Sequence, residues 1–525
     1  MKMETVNIIG AGLAGLSAAH TFAKNKIRSR LISLQPSERA QSVMAEGGIN
    51  AALNTMGEGD STFEHFEDTM RGGAFLADPK AAEVLTEHAP EIVTELFKMG
   101  TPFAMKGDSI IQRNFGGQKK KRTAFAKSST GKVIMTALID EVRKYEAEGY
   151  VERLDHHEAL EPVLADDMCI GVYVRDTFAG EAVFCRGPVI TACGGLNGLF
   201  EGMTTGSSAN SGDFTAACFA LGVNAANLEM IQYHPTTVVV PGKRMLVSEA
   251  ARCEGGRLFI KRKGDPWFFM DELYPDMGNL APRDVISKTM TEVVAADDTG
   301  DQVYLDLTEL PRGTWNKKLS DMRDEIKEYL GIDPAKEPVP VTPGIHFFMG
   351  GILVDKDHRT SVKGLYAAGE CACQYHGANR LGGNSMLAAV YGGKVAADSL
   401  IRDAVYYKEV SECQAVPEAP EIRCGFSREL SEILGQGMGI VRSGEGLERA
   451  LKHIDELKDE CNIREKRRLY LAEAMLLSAL KREETRGAQV RSDFPAKDDA
   501  RFKKTTVAVF RNGKTEIDFK EIGQI

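Results

Sequence analysis

A short apolar run that leads straight into Gly10-Ala11-Gly12-Leu13-Ala14-Gly15 constrains this chain more than any other feature. Val6–Ile9 carries no charge and has the length of a buried strand. Residues 10–15 read as a tight turn and residues 16–23 as a helix. The next apolar run, 30–34, reads as a second parallel strand, which completes a βαβ unit. The G-x-G-x-x-G spacing gives each glycine its own task. Gly10 permits the turn, Gly12 lets the backbone approach a pyrophosphate, and Gly15 lets helix and strand pack closely. The helix N-terminus adds amide donors and a partial positive charge. In this context, after a strand and opening a helix, the motif predicts dinucleotide binding. The acidic residue that would hold ribose hydroxyls at the end of the second strand is missing. Ile32-Ser33-Leu34-Gln35 offers Ser33 or Gln35 as a neutral replacement.

Two later stretches repeat the form of a buried strand running into glycines: PVITACGG at 188–195 and GLYAAG at 364–369. Each is followed by a helical pattern. Three such elements far apart predict one α/β domain interrupted by an insertion, because sheet neighbours need not be sequence neighbours. The chain has 525 residues, room for about three domains at roughly 150 residues each. The dinucleotide-binding domain is expected in two parts, 1–228 and 344–407, around an insertion at 229–343 with mixed strand and helix signals. Residues 408–425, with Pro417 and Pro420 among charges, read as a linker. Beyond it, Leu447, Ala450, Leu451, Ile454, Leu457 and Cys461 recur at helical spacing, and a second helix covers about 469–480. Residues 426–525 therefore read as a helical domain with strand-like runs such as 505–510.

Lys+Arg 65 against Asp+Glu 75 gives a net charge of −10, which argues against a nucleic-acid-coating protein. The ten cysteines form no Cys-x-x-Cys pair, so zinc and iron–sulfur spacings are absent and no metal is expected. Scattered thiols suit a reducing cytosol. The uncharged stretch from Thr5 to Ala23 has signal-peptide length but is broken by Asn7, three glycines and His20, so it reads as the nucleotide turn. No other uncharged run reaches the ~18 apolar residues of a membrane helix. A soluble cytoplasmic chain is expected, with any membrane association made through partner subunits. Lys119-Lys120-Lys121-Arg122 reads as a solvated loop.

Several segments concentrate residues suited to a dianion. Gln232-Tyr233-His234-Pro235-Thr236 offers a placed imidazole. Ser248-Glu249-Ala250-Ala251-Arg252 spaces a carboxylate and a guanidinium three apart, neighbours if helical. Arg283 follows Pro282, His346 precedes Gly350-Gly351, and Arg380 follows His376-Gly377-Ala378-Asn379.

Together with AEGG at 45–48, FGG at 115–117, Gly212-Asp213, SEAARCEGG, GLYAAGEC, HGANRLGGNS and RGA at 486–488, these segments resemble the fumarate reductase / succinate dehydrogenase flavoprotein subunit family in its order along nearly the whole chain. The resemblance implies an α/β fold: a doubly wound, Rossmann-like FAD-binding domain, an inserted α+β capping domain and a C-terminal helical domain. It implies that His234, Ser248, His346 and Arg380 clamp two substrate carboxylates, with serine where the family more often has threonine. Arg283 would donate the proton, fed through Glu249 and Arg252. Gly10, Gly12, Ala14, Gly15, Ser33, Ala45, Gly47, Gly48, Asp213, Glu370, Ser385 and Leu387 would hold FAD. A separate iron–sulfur subunit would supply electrons, since this chain has no cluster ligands.

Members that attach FAD covalently do so through a histidine just before the AEGG stretch. Here that residue is Gln41, an amide unable to form the bond, so FAD is expected to be non-covalent and the enzyme biased toward fumarate reduction. The nearest rival is L-aspartate oxidase, which shares fold and most of the site but carries glutamate where this chain has Phe115. Phe115 therefore counts as a substrate-binding residue. Reduction of another unsaturated dicarboxylate stays open. A flavin-bearing RNA-binding or structural module that has lost its chemistry is disfavoured by the acidic balance and the complete site.

Overall fold

Val6–Ile9 is buried along its whole length at the centre of a five-stranded sheet in the computed structural model of the protein. The structure describes residues 5–127, 129–296, 302–403 and 420–524. Across the sheet the order is Leu365–Ala367, Val189–Thr191, Val6–Ile9, Ser29–Ser33 and Val151–Asp155, with every pairing parallel. Strands buried on both faces need continuous apolar runs, which is why the three strand-into-glycine stretches were readable. Helix Leu13–Lys24 starts three residues earlier than its apolar pattern predicts, at the glycine turn itself. It packs with helix Asn384–Asp403, and both contribute to the largest apolar core.

The insertion forms a six-stranded antiparallel sheet, ordered Lys243–Leu246, Ile231–Val240, Val339–Phe348, Val303–Asp306, Arg257–Arg262 and Asp265–Trp267. Helices Arg283–Ala296 and Ser320–Leu330 cover it over a core that includes Val238, Ile286, Trp315 and Ile326. Strand Val339–Phe348 runs unbroken through residue 343, the expected edge of the insertion, and delivers His346.

Helices Phe426–Gly437, Gly444–Lys458 and Ile463–Lys481 build the C-terminal part. Asn462 and Glu465 form a reciprocal capping box at the last of these. The strand-like run appears as Thr505–Arg511, paired with Lys514–Lys520 and added to a sheet that includes Ala225–Ala226 and Gly351–Leu353. The RGA segment has a positioning task. Arg486 pairs with Glu484 at 2.7 Å, and Ala488 N–H donates to Ala378 O at 2.9 Å. Gly487, at φ +54, leaves no room for a side chain beside Ala378 O. The C-terminal part thus braces the loop that carries Arg380.

The basic run at 119–122 is not wholly solvated. Arg122 is fully buried, and its guanidinium is held by Asp60 and Asp68 at 2.9 Å each. Most of the expected linker at 408–425, with Pro417 and Cys413, lies outside the described residues. No helix among the described residues is long and apolar enough to cross a membrane.

Candidate active site

One cavity of about 340 Å³ joins the glycine turn to the capping sheet. Gly10, Gly12, Ala14, Ser33, Ala45, Gly47 and Gly48 line it from the first part of the chain, and Asp213, Glu370 and Ser385 from later parts. His234, Ser248, Glu249, Arg283, His346, Arg380 and Phe115 line its other end.

The nucleotide end fits FAD on its own geometry. A Cβ on Gly10 would stand 2.2 Å from Ala192 O, and one on Gly15 1.9 Å from Gly10 O, so only glycine closes the turn at these positions. Gly12 is the helix N-cap and has no side chain to cap it, the first turn has no acidic residue, and Leu13 N–H donates to Ser42 Oγ at 3.3 Å. The remaining amides and the helix dipole at that point suit a pyrophosphate. Ser33 Oγ donates to Gln35 O at 2.8 Å and lies 3.4 Å from Asp155 Oδ1, supplied by the neighbouring strand.

Three expected residues do not reach the cavity wall. Gly15 lies beneath the turn and Arg252 behind Glu249. Leu387 is completely buried in the main apolar core, so its side chain packs the helix. Asp213 does line the cavity, but its carboxylate is taken by Arg464 at 2.7 Å and Arg468 at 2.5 Å. It fastens the C-terminal helix to the nucleotide end.

The opposite end is a network of fixed charges. Glu249 Oε2 accepts from Arg283 Nε at 2.9 Å and Nη2 at 2.5 Å. Its Oε1 accepts from Gly116 N–H at 3.0 Å, with Arg252 Nη2 at 3.7 Å. A Cβ on Gly116 would come within 2.7 Å of that oxygen, which gives the FGG motif a physical reason. Gln232 Oε1 accepts from both Arg283 Nη1 at 3.0 Å and Arg380 Nη2 at 2.9 Å. Its amide donates to Asn379 Oδ1 at 2.7 Å and Arg380 O at 2.8 Å. One buried amide therefore spaces the two arginines.

Burial pushes Glu249 toward the neutral form, but Arg283 and Arg252 overcome it and bring the carboxyl down to about 2. The two imidazoles lie 5.1 Å apart, ring centre to ring centre. Burial, then the charge of Arg283, holds both well below the ordinary histidine value, so both are neutral. Thr236 holds His234 Nδ1, its N–H, carbonyl oxygen and hydroxyl each lying 3.3 Å away. Arg380, held down to about 9 by burial and then by Arg283, remains a cation at neutral pH. Three guanidiniums against one carboxylate leave two positive charges, the complement of a dicarboxylate.

Gln232, Gly116 and Glu46 lie inside the QYHPT, FGG and AEGG segments, but nothing in those segments alone marks them as functional. Glu46 lines the cavity. Burial and the nearby Glu325 push it up to about 8, against the pull of Ser248 and Arg113. Burial likewise raises Glu370 to about 7; its Oε1 accepts from Phe348 N–H at 3.0 Å. Only three-dimensional packing reveals such shifts. Gln41 also lines the cavity, with its Oε1 accepting from Ser207 N–H at 2.7 Å.

Comparison with known proteins places the chain in a family. Residues 5–386 match an FAD-binding domain family, and residues 462–524 the C-terminal family of fumarate reductase flavoproteins. The chain is 34% identical to the succinate dehydrogenase flavoprotein subunit of Bacillus subtilis, over 97% of this chain and 94% of that one. It is 30% identical to the fumarate reductase flavoprotein subunit of Haemophilus influenzae, over 99% and 95%. A chain of E. coli quinol fumarate reductase superposes with a TM-score of 0.90 at 29% identity, over 100% of this chain and 98% of that one. The chain belongs to the succinate dehydrogenase / fumarate reductase flavoprotein family, and it is an FAD-binding oxidoreductase.

Proposed function

We propose that this chain is the flavoprotein subunit of a fumarate reductase, and that it binds FAD non-covalently and takes electrons from a separate iron–sulfur subunit. The observation that carries the reading is the Glu249–Arg283–Gln232–Arg380 network on the wall of the cavity that also holds the glycine turn. Bound FAD supplies the two-electron hydride chemistry. The protein does the rest. Ser248, Arg380 and the imidazoles of His234 and His346 hold the two carboxylates and fix the alkene. Their donors and the positive field polarise the double bond toward carbanion-like charge on one carbon. Arg283 delivers a proton to that carbon, and Glu249, backed by Arg252, restores it. A guanidinium is a poor acid in water, where its pKa exceeds ~12. It serves here because the acceptor is strongly basic and a carboxylate waits on the guanidinium's other edge.

Being named subunits, the Bacillus and Haemophilus relatives support a partner-dependent enzyme. Gln41 supports the non-covalent cofactor and, with it, the bias toward fumarate reduction. Reduced viologen should be reoxidised rapidly by fumarate in the presence of the holoprotein; no fumarate-dependent reoxidation would overturn the reading. Acid precipitation should leave yellow FAD in the supernatant. Flavin fluorescence that stays on the denatured polypeptide band would mean a covalent bond from some other residue.

A further inference from the structure

Arg244 is a cation that the two-carboxylate clamp does not use. It stands on strand Lys243–Leu246 of the capping sheet and lines the same cavity as Leu246 and Ser248. Its Nε and Nη1 are buried with no hydrogen-bond partner. Among the described residues no ion pair to its guanidinium is present.

The backbone holds this arginine in place. Its N–H donates to Thr204 O at 3.2 Å, and it pairs with Val239 across the sheet. A Cβ on Gly344 would stand 3.3 Å from Arg244 Cγ, so the missing side chain there leaves room for the arginine. Gly344 itself pairs with His234 and lies two residues before His346. Arg244 therefore crosses the strands that carry both clamp histidines.

An arginine set in a cavity wall without a counter-charge is unfavourable until an anion arrives. The clamp's two positive charges already equal a dicarboxylate's two negative ones. Arg244 is a charge in excess of them. Ser248 and Arg244 are four residues apart, roughly 13 Å of extended backbone. The extra anion must then sit on a short arm and not on the alkene carbons.

We infer that the cavity accepts an unsaturated dicarboxylate bearing a third anionic group on a short arm, and that Arg244 receives that group. The inference rests on the fumarate-reductase reading of the same site and deepens it. The added step keeps the same balance. A hydride and a proton add across the alkene, reduced flavin gives up two electrons, and the third carboxylate is unchanged.

The probe is (E)-propene-1,2,3-tricarboxylate, which is fumarate carrying a carboxymethyl arm in place of one vinyl hydrogen. Holoenzyme with reduced viologen should convert it to propane-1,2,3-tricarboxylate. Arg244→Met should lower the ratio of its kcat/KM to that of fumarate by at least about 30-fold, the cost of removing one partner of a buried charge-assisted contact. Arg244→Lys should keep part of that ratio. Independently of turnover, propane-1,2,3-tricarboxylate should perturb the oxidised flavin spectrum at lower concentration than succinate, and Arg244→Met should erase the difference. A tri-anion that is bound no better than succinate overturns the inference. So does an unchanged ratio in an Arg244→Met protein with full flavin content. Loss of fumarate turnover with Arg244-dependent tri-anion binding intact would instead overturn the fumarate reading and leave the inference standing.

Discussion

Arg283→Ala should lose fumarate turnover by at least ~10² in rate while keeping normal flavin absorbance and stoichiometry. The expectation comes from where Arg283 lies. Its Nε and Nη2 are bonded to Glu249 and its Nη1 to Gln232, all at the end of the cavity opposite the pyrophosphate cradle. Alanine removes the proposed proton donor and, with it, one positive charge of the network. It also leaves Glu249 with a buried negative charge balanced mainly by Arg252 at 3.7 Å. Flavin retention separates this loss from misfolding, because no residue of the glycine turn depends on Arg283. On the proposed reading the fall should appear in kcat and not only in KM, since the clamp of Ser248, the two histidines and Arg380 is left in place. Near-normal turnover in the variant would remove Arg283 from the mechanism.

The parts of this protein that were legible in sequence are those whose cause is local. The glycine turn could be read because Gly10 and Gly15 are forced by contacts with backbone oxygens, and because the strand before the turn is buried on both faces. The helical tail could be read from its spacing. Pairings formed by folding could not. Asp213 meets Arg464 and Arg468 some 250 residues away in the chain, so a residue expected at the cofactor also fastens a helix. Ala488 meets Ala378, so a tail motif steadies the loop that carries Arg380. Arg122 sits in a lysine-rich run yet is buried between two aspartates. Leu387 was placed at the cofactor on resemblance, while its side chain serves the core. Glu46 lies between two residues that were named, and nothing local signals that burial keeps it protonated.

Glu46 bears directly on whether the substrate is fumarate or aspartate. Aspartate adds an ammonium to the two carboxylates, and a buried ammonium needs an anionic or strongly accepting partner. Aspartate oxidases carry a glutamate at the position of Phe115. Here the phenyl ring lies against Gly47, where a Cβ would be 3.1 Å from its edge, and the Arg113 guanidinium is 5.2 Å from its centre. The ring already faces one cation, and its face offers no acceptor for the hydrogens of a second. Glu249 is committed to Arg283, and Glu370, on the same cavity wall, lies in the field of Arg380. Glu46, bonded by Ser248, is the carboxyl set beside the proposed substrate-binding serine, where it could receive an ammonium. With its value raised to about 8, it is neutral below that pH and becomes anionic only above it. Near neutral pH, therefore, millimolar L-aspartate should fail to bleach the oxidised flavin under anoxic conditions, while fumarate rapidly reoxidises the viologen-reduced enzyme. Raising the pH through Glu46's value should weaken the exclusion of aspartate, and Glu46→Gln should remove that pH dependence. Stoichiometric bleaching by aspartate at neutral pH, with iminoaspartate or its breakdown product oxaloacetate appearing, would transfer the assignment to an aspartate oxidase.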